Sequence, residues 1–189
     1  MQKIDVAHAV EQIALVGRLL HSRGIFWARA GNISARLPDG TILITRGGTH
    51  KALLDRSKLI LIDAAGALLE SGRPSSETPL HLAAYRTLPA IGAVLHAHPP
   101  ACTALAIEGR RLEVDLVEEG RAALGAAPLL PHAERTVVAE AWASALTDGA
   151  RAALLAGHGV IVAGSDLEDV LAKVELCEFI AELQWRLRG

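Results

Sequence analysis

Residues 92–98 read Gly92-Ala93-Val94-Leu95-His96-Ala97-His98, an apolar run that ends in two histidines one residue apart. Side chains at i and i+2 of a β-strand leave the sheet on the same face. A strand here sets His96 and His98 side by side at its C-terminal end. Two adjacent imidazoles can grip one metal ion, but they can equally be hydrogen-bonded histidines near a strand end. The remainder of the chain has to discriminate.

On either side of this strand the pattern switches to helices. Thr78 to Thr87 reads as a helix stopped by Pro89, and Pro99-Pro100 open another that runs to about Ile107. Further upstream, residues 5–22 form an amphipathic helix with Val6, Val10, Ile13, Ala14, Leu19 and Leu20 inward. Short strands follow at Ile33–Leu37 and Thr41–Thr45, joined by the turn Pro38-Asp39-Gly40, and at Leu59–Asp63. Downstream, residues 109–135 are the least legible and are read as short strands, Leu112–Val117 and Ala127–Leu130, with connections. Thr136–Leu146 is helical. Ala152–Leu155 and Val160–Ala163 are apolar runs around Gly157-His158-Gly159, and Ser165-Asp166-Leu167-Glu168 is a capping box that opens a long last helix. Alternating strands and helices predict an α/β domain with a central sheet covered on both sides. At 189 residues, one domain spanning 1–189 is expected.

Composition narrows the function classes. The chain is 51% apolar but only 3% aromatic, so its core is built mostly from Ala, Leu, Val and Ile. A formal net charge of −2 gives no support for nucleic-acid or anionic-membrane binding. No stretch approaches a membrane span, and Met1-Gln2-Lys3-Ile4-Asp5 lacks the apolar core of a secretory signal. Cys102 and Cys177 are isolated, with no CxxC, so no disulfide framework is expected. A soluble cytoplasmic protein is the expectation.

Three constellations carry possible chemistry. Glycines on both sides of His158 hold it at a bend and let a ligand approach. As a third ligand beside His96 and His98 it completes a set that suits zinc with a position left open; alone it is an ordinary turn histidine. In Pro74-Ser75-Ser76-Glu77-Thr78-Pro79, Thr78 and Pro79 stand where a capping partner would be, so Glu77 has no reciprocal capping role. Paired hydroxyls and free N–H groups at a helix start make a phosphate cradle, with a carboxylate beside it placed for general-base work. Gly31-Asn32-Ile33-Ser34 and Gly47-Gly48 are small-residue corners whose backbone amides could meet an anion. His81, four residues after Glu77, is placed to hydrogen-bond it. His8 and His21 are expected to be solvated, and with His50, His81 and His132 they are left out of the metal set.

Gly-Asn-x-Ser, a Gly-rich corner before a Lys, Ser-Ser-Glu, His-x-His and a late His-Gly, in this order from about Gly24 to Ile180, together resemble the class II aldolase/adducin family. The likeness is greatest to its L-fuculose-1-phosphate aldolase-like members. The resemblance implies a three-layer α/β/α fold around a mainly antiparallel sheet, and a homotetramer with active sites between subunits. It assigns Zn²⁺ to His96, His98 and His158. Glu77 becomes the acid/base, and a metal ligand when no substrate is bound. A substrate phosphate falls to Asn32, Gly48, Ser75 and Ser76.

The implied reaction is cleavage of a small phosphorylated ketose to dihydroxyacetone phosphate and an aldehyde. Two alternatives stay open: dehydration, as in the methylthioribulose-1-phosphate dehydratase branch, and a non-catalytic adducin-like scaffold. Glu77, where the ribulose-phosphate epimerase branch has Asp, argues against epimerisation. Two departures bear on the choice. Arg29 stands where relatives often have Thr and Arg46-Gly47-Gly48 where they have Pro-Ser-Gly, and residues 109–135 lack the aldolases' catalytic Tyr, the only tyrosine being Tyr85. Glu118 and Glu119 lie in that stretch with no assigned role.

Overall fold

A computed structural model describes residues 6–187. The reading of Met1–Asp5 as lacking a signal segment lies outside the described residues. The elements are α1 (Val6–Ser22), β1 (Asn32–Arg36), β2 (Ile42–Thr45), β3 (Leu59–Ile62), α2 (Thr78–Thr87), β4 (Ala93–Ala97), α3 (Pro100–Ile107), α4 (Glu118–Leu124), β5 (Leu129–Leu130), α5 (Arg135–Thr147), β6 (Ala152–Leu155), β7 (Gly159–Gly164) and α6 (Leu167–Arg186). Among these residues no helix is long and apolar enough to cross a membrane.

The strands form one sheet in the order β3-β2-β1-β4-β7-β6-β5. The expectation of a mainly antiparallel sheet needs correcting to a mixed one: β5 runs parallel to β6, while the other neighbours pair antiparallel. β5 can be parallel because α5 carries the chain across one face of the sheet before it returns as β6.

Strand alternation sorts the core into two layers. On one face, Ile33, Leu43, Leu95 and Val162 pack against Ile13 and Leu20 of α1, Leu105 of α3 and Val174 and Ile180 of α6. On the other, Ile42, Ile60, Val94 and Ile161 pack against Leu80 and Tyr85 of α2 and Trp142 and Leu146 of α5. The result is a three-layer α/β/α sandwich. His96 has the parity of Val94 and therefore emerges on the α2/α5 face.

The structure corrects several local readings. Leu112–Val117 is not a strand; Val114–Leu116 is a 3-10 turn, and the second expected strand shrinks to Leu129–Leu130. Between them lies α4, which was not foreseen. Gly120 hid it: a glycine argues against a helix, yet a Cβ there would stand 2.2 Å from the Val114 carbonyl oxygen, so glycine is what lets α4 pack that closely. Glu118 and Glu119 occupy its first turn, where carboxylates suit the helix dipole, and both are exposed. The cap of α6 is shifted by one residue. Asp166 is the N-cap, its carboxylate accepting from the Asp169 N–H (2.8 Å), while the Asp169 carboxylate accepts from the Ser165 N–H (2.8 Å).

Candidate active site

The α2/α5 face of the sheet ends in a cleft of about 310 Å³ lined by the C-terminal end of β4, the β6–β7 turn, the N-terminal approach to α2 and two loop corners. All eight residues singled out from the sequence line it: Asn32, Gly48, Ser75, Ser76, Glu77, His96, His98 and His158. They come from distant parts of the chain, and the sheet brings them together. Asn32 pairs with His96 across β1 and β4, and His96 pairs with Ile161 across β4 and β7.

The three imidazoles form a near-equilateral cluster, with ring centroids 4.6 Å apart for His96–His98, 4.6 Å for His96–His158 and 4.7 Å for His98–His158. One ring nitrogen of each lies within 4.8 Å of the others. The flanking glycines of His158 do separate jobs. Gly157 takes φ +68°, which the β6–β7 turn requires, whereas a Cβ at Gly159 would stand 2.4 Å from the Ala97 carbonyl oxygen and 3.0 Å from the His98 ring. Gly159 therefore lets β7 approach β4 closely enough to bring His158 to the other two.

The donor set fits a divalent metal. His96 Nδ1–H donates to the Val160 carbonyl at 2.9 Å, which leaves the Nε2 lone pair free. His96 Nε2 and His98 Nδ1 are both buried without a hydrogen-bond partner. Burial first, and the neighbouring positive charge second, hold all three side chains below the usual histidine range, His98 at about 4. Neutral imidazoles facing one small volume, with unsatisfied ring nitrogens, have the protonation state a metal requires.

Glu77 occupies the N-cap position of α2 but its side chain makes no capping bond, as the absent capping-box partner implies. The carboxylate is buried instead in the cleft. Oε1 accepts from Arg135 Nη2 at 2.8 Å, while Oε2 is buried with no hydrogen-bond partner. Burial raises its pKa, and Arg135 partly offsets that. Arg135 opens α5, far along the chain, and nothing in the sequence signalled the pairing. The His81 side chain does not bond the Glu77 carboxylate; only its backbone N–H reaches the Glu77 carbonyl, at 3.4 Å. Its ring points into the core, towards Asn32 and Ser34.

The opposite wall is made of loops held by cross-links. At the end of β1 the Ile33 N–H donates to the Thr45 hydroxyl (3.2 Å), and the Thr45 carbonyl accepts instead from the Ser75 N–H (3.1 Å). Gly47 N–H donates to the Arg73 carbonyl (3.0 Å), and Arg46 bridges to Pro74, which sets Gly47-Gly48 beside Ser75-Ser76. The two arginines that stood out in the sequence differ in use. Arg46 spends its guanidinium on the carbonyls of Leu59 and Ser71, both at 2.9 Å, whereas Arg29 is exposed at the rim.

A third cation, Lys51, was noticed in the sequence only as the Lys after the Gly-rich corner. It is 2% exposed, donates to the carbonyls of Thr49 (2.6 Å) and Arg29 (3.0 Å), and lines the cleft. No carboxylate pairs with it among the described residues, and burial lowers its pKa to about 8. A buried ammonium satisfied only by carbonyls favours an anion in the space it faces. Glu118 and Glu119 do not line the cleft.

The chain is similar to known proteins along most of its length. The profile of the Class II Aldolase and Adducin N-terminal domain matches residues 11–185. Methylthioribulose-1-phosphate dehydratase of Methylococcus capsulatus is 38% identical, covering 92% of this chain and 91% of that protein. The enzyme of the same name from Gluconobacter oxydans is 40% identical, covering 94% and 92%. Among solved structures, L-fuculose-1-phosphate aldolase from Thermus thermophilus superposes with a TM-score of 0.84 at 30% identity, covering 95% of this chain and 94% of that one. The chain belongs to the class II aldolase/adducin family, among its metal-dependent lyases.

Proposed function

We propose that this protein dehydrates a small phosphorylated ketose of the methylthioribulose 1-phosphate kind. The observation that carries this reading is the likeness, over nine-tenths of both chains, to two dehydratases at 38% and 40% identity. It replaces the aldol cleavage that the motifs led us to expect. Tyr85 supports the change. The chain's only tyrosine is 5% exposed and bonded to Ser34 in the core, so no phenol of this chain faces the cleft to serve as the aldolases' Tyr.

In this proposal the phosphate lies between Asn32, Gly48, Ser75 and Ser76, with Lys51 as the nearby buried charge. Anchoring there turns binding energy into orientation of the carbons to be changed. His96, His98 and His158 would hold Zn²⁺, which when bound supplies Lewis acidity towards the substrate carbonyl.

Glu77 Oε2 takes the proton from the carbon α to the carbonyl. Arg135, holding Oε1, keeps the other oxygen turned towards the substrate. The hydroxyl on the β carbon departs with a proton returned from Glu77 and leaves as water, and the resulting enol ketonises. The balance is one substrate to one diketone phosphate and one water, with Glu77 restored. We further propose that the chain acts as one domain and assembles as the homotetramer implied by its family, which sedimentation would test.

The deciding experiment incubates metal-loaded protein with methylthioribulose 1-phosphate and follows products by ¹³C and ³¹P NMR. The expected product keeps the whole carbon skeleton and the phosphate and has lost one water. Dihydroxyacetone phosphate and a free aldehyde would instead restore the aldolase reading.

A further inference from the structure

Behind the cleft lies a polar chain that the proposed reaction does not use. Tyr85 OH is 2.7 Å from Ser34 Oγ, Ser34 Oγ is 2.6 Å from His81 Nδ1, and His81 Nε2 is 2.5 Å from Asn32 Oδ1. Ser34 and His81 are fully buried, Asn32 and Tyr85 nearly so, and only Asn32 reaches the cleft. Such a chain is sequence-expensive. It puts polar side chains of β1 and α2 inside an otherwise apolar layer, and leaving a buried polar group without a partner costs free energy, so the arrangement that satisfies the most protons is favoured.

Counting protons gives the chain a direction. Burial keeps His81 neutral, with its pKa at about 3, so its ring carries one N–H. Two polarities are then possible. In one, the Asn32 amide donates to His81, His81 to Ser34, and Ser34 to the Tyr85 oxygen. The phenol proton is then left with no acceptor among the described residues, and the Val94 N–H also faces that oxygen. In the other, Tyr85 O–H donates to Ser34, Ser34 O–H to His81 Nδ1, and His81 Nε2–H to Asn32 Oδ1. Every proton is used. The Arg36 guanidinium, which donates to the Tyr85 carbonyl at 2.6 Å and lies 4.9 Å from its ring, holds the phenol in place.

We propose that Tyr85, Ser34 and His81 are positioning residues: a one-way hydrogen-bond chain that consumes the Asn32 carbonyl oxygen and presents the Asn32 NH₂ to the cleft. The amide thereby becomes a fixed donor, suited to a phosphate oxygen and unsuited to a cation. The inference rests on the reading of this corner as the phosphate site, and it adds what sets that site's sign. His81 is neither a metal ligand nor an acid/base but the residue that determines which end of Asn32 the substrate meets.

The direct test is ¹⁵N NMR of wild-type protein labelled at histidine. His81 should show the neutral Nε2–H tautomer, with Nδ1 unprotonated, across pH 5–8; an Nδ1–H tautomer overturns the proposal whatever the protein binds. The second arm uses inorganic phosphate as a competitive inhibitor. His81→Gln, which can still donate to Asn32 and accept from Ser34, should keep most of the phosphate affinity. His81→Phe should raise both the inhibition constant and KM about 10-fold with little change in kcat. Equal losses in the two variants, or a loss confined to kcat, would overturn the positioning role. If phosphate fails to compete with wild-type protein while the tautomer is Nε2–H, the phosphate reading falls and the assignment of Asn32's ligand falls with it.

Discussion

The two ends of the cleft are built differently. At one end, His96, His98 and His158 project from the end of a central strand and from the turn beside it, fixed by sheet register and by Gly159. At the other, Gly47, Gly48, Ser75 and Ser76 sit on loops and Lys51 opens a single 3-10 turn, held by hydrogen bonds to carbonyls of Arg73, Thr45, Thr49 and Arg29. The difference follows from what each end must do. Metal ligation tolerates little positional error and belongs on rigid elements, whereas a phosphate can be surrounded by loop amides that adjust to it. Glu77 lines the same cleft from the start of α2, paired with Arg135 at the start of α5.

If the rigid end carries the chemistry, stripping it should cost most. Chelation of the divalent metal should remove nearly all activity, more than the roughly 100-fold seen when only an outer partner of a metal ligand is lost, and re-addition of Zn²⁺ should restore it. Activity that persists in metal-free protein would leave the histidine cluster structural. Next in size, Glu77→Gln should lower kcat by about 10²–10⁴-fold while metal content stays unchanged, since the base is lost and the imidazoles are not. Undiminished turnover would take Glu77 out of the mechanism.

At the loop end the effects should fall on binding. Lys51→Met should raise KM by about 10- to 100-fold with a smaller change in kcat, the scale of one charge-assisted contact. A loss confined to kcat would place Lys51 at the reacting carbons instead.

The remaining effect is on stability and not on turnover. His81 has a folded pKa of about 3 against an ordinary value near 6.5. Between those values the unfolded chain binds the extra proton, so stability is retained above about pH 6.5 and falls as pH drops towards about 3. The slope is up to about 1.4 kcal/mol per pH unit. Urea melts across pH 4–7 should show a shallower fall for His81→Gln than for wild type, because the buried cluster histidines keep their own share of the slope. Identical slopes would contradict the burial of a neutral His81.

The rigid end was also the more legible in the sequence. Strand parity alone puts His96 and His98 on one face, and glycines on either side of His158 mark a turn, so both could be read from spacing before any contact was known. The loop end had a weaker signature: Ser75-Ser76 before a helix and the small-residue corners at Asn32 and Gly48 suggested an anion site, but each alone is an ordinary cap or turn, and the family resemblance joined them. Lys51 passed as one more lysine because its significance is its burial, a tertiary property. Arg135 was invisible for the same reason, since its link to Glu77 exists only once α2 and α5 pack side by side. The helical i, i+4 spacing suggested a bond between His81 and Glu77. The side chains do not bond, because Glu77 precedes the helix and turns into the cleft while the His81 ring turns into the core. α4 escaped because its glycine serves packing, against the local propensity.

The account depends on three imidazoles meeting at one ion, and metal analysis tests that most directly. Purified wild-type protein loaded with zinc and passed over a desalting column should carry one equivalent per chain, and His158→Ala treated identically should carry almost none while keeping its fold by circular dichroism. Full occupancy in folded His158→Ala would contradict the account, because the metal would then sit somewhere His158 does not reach.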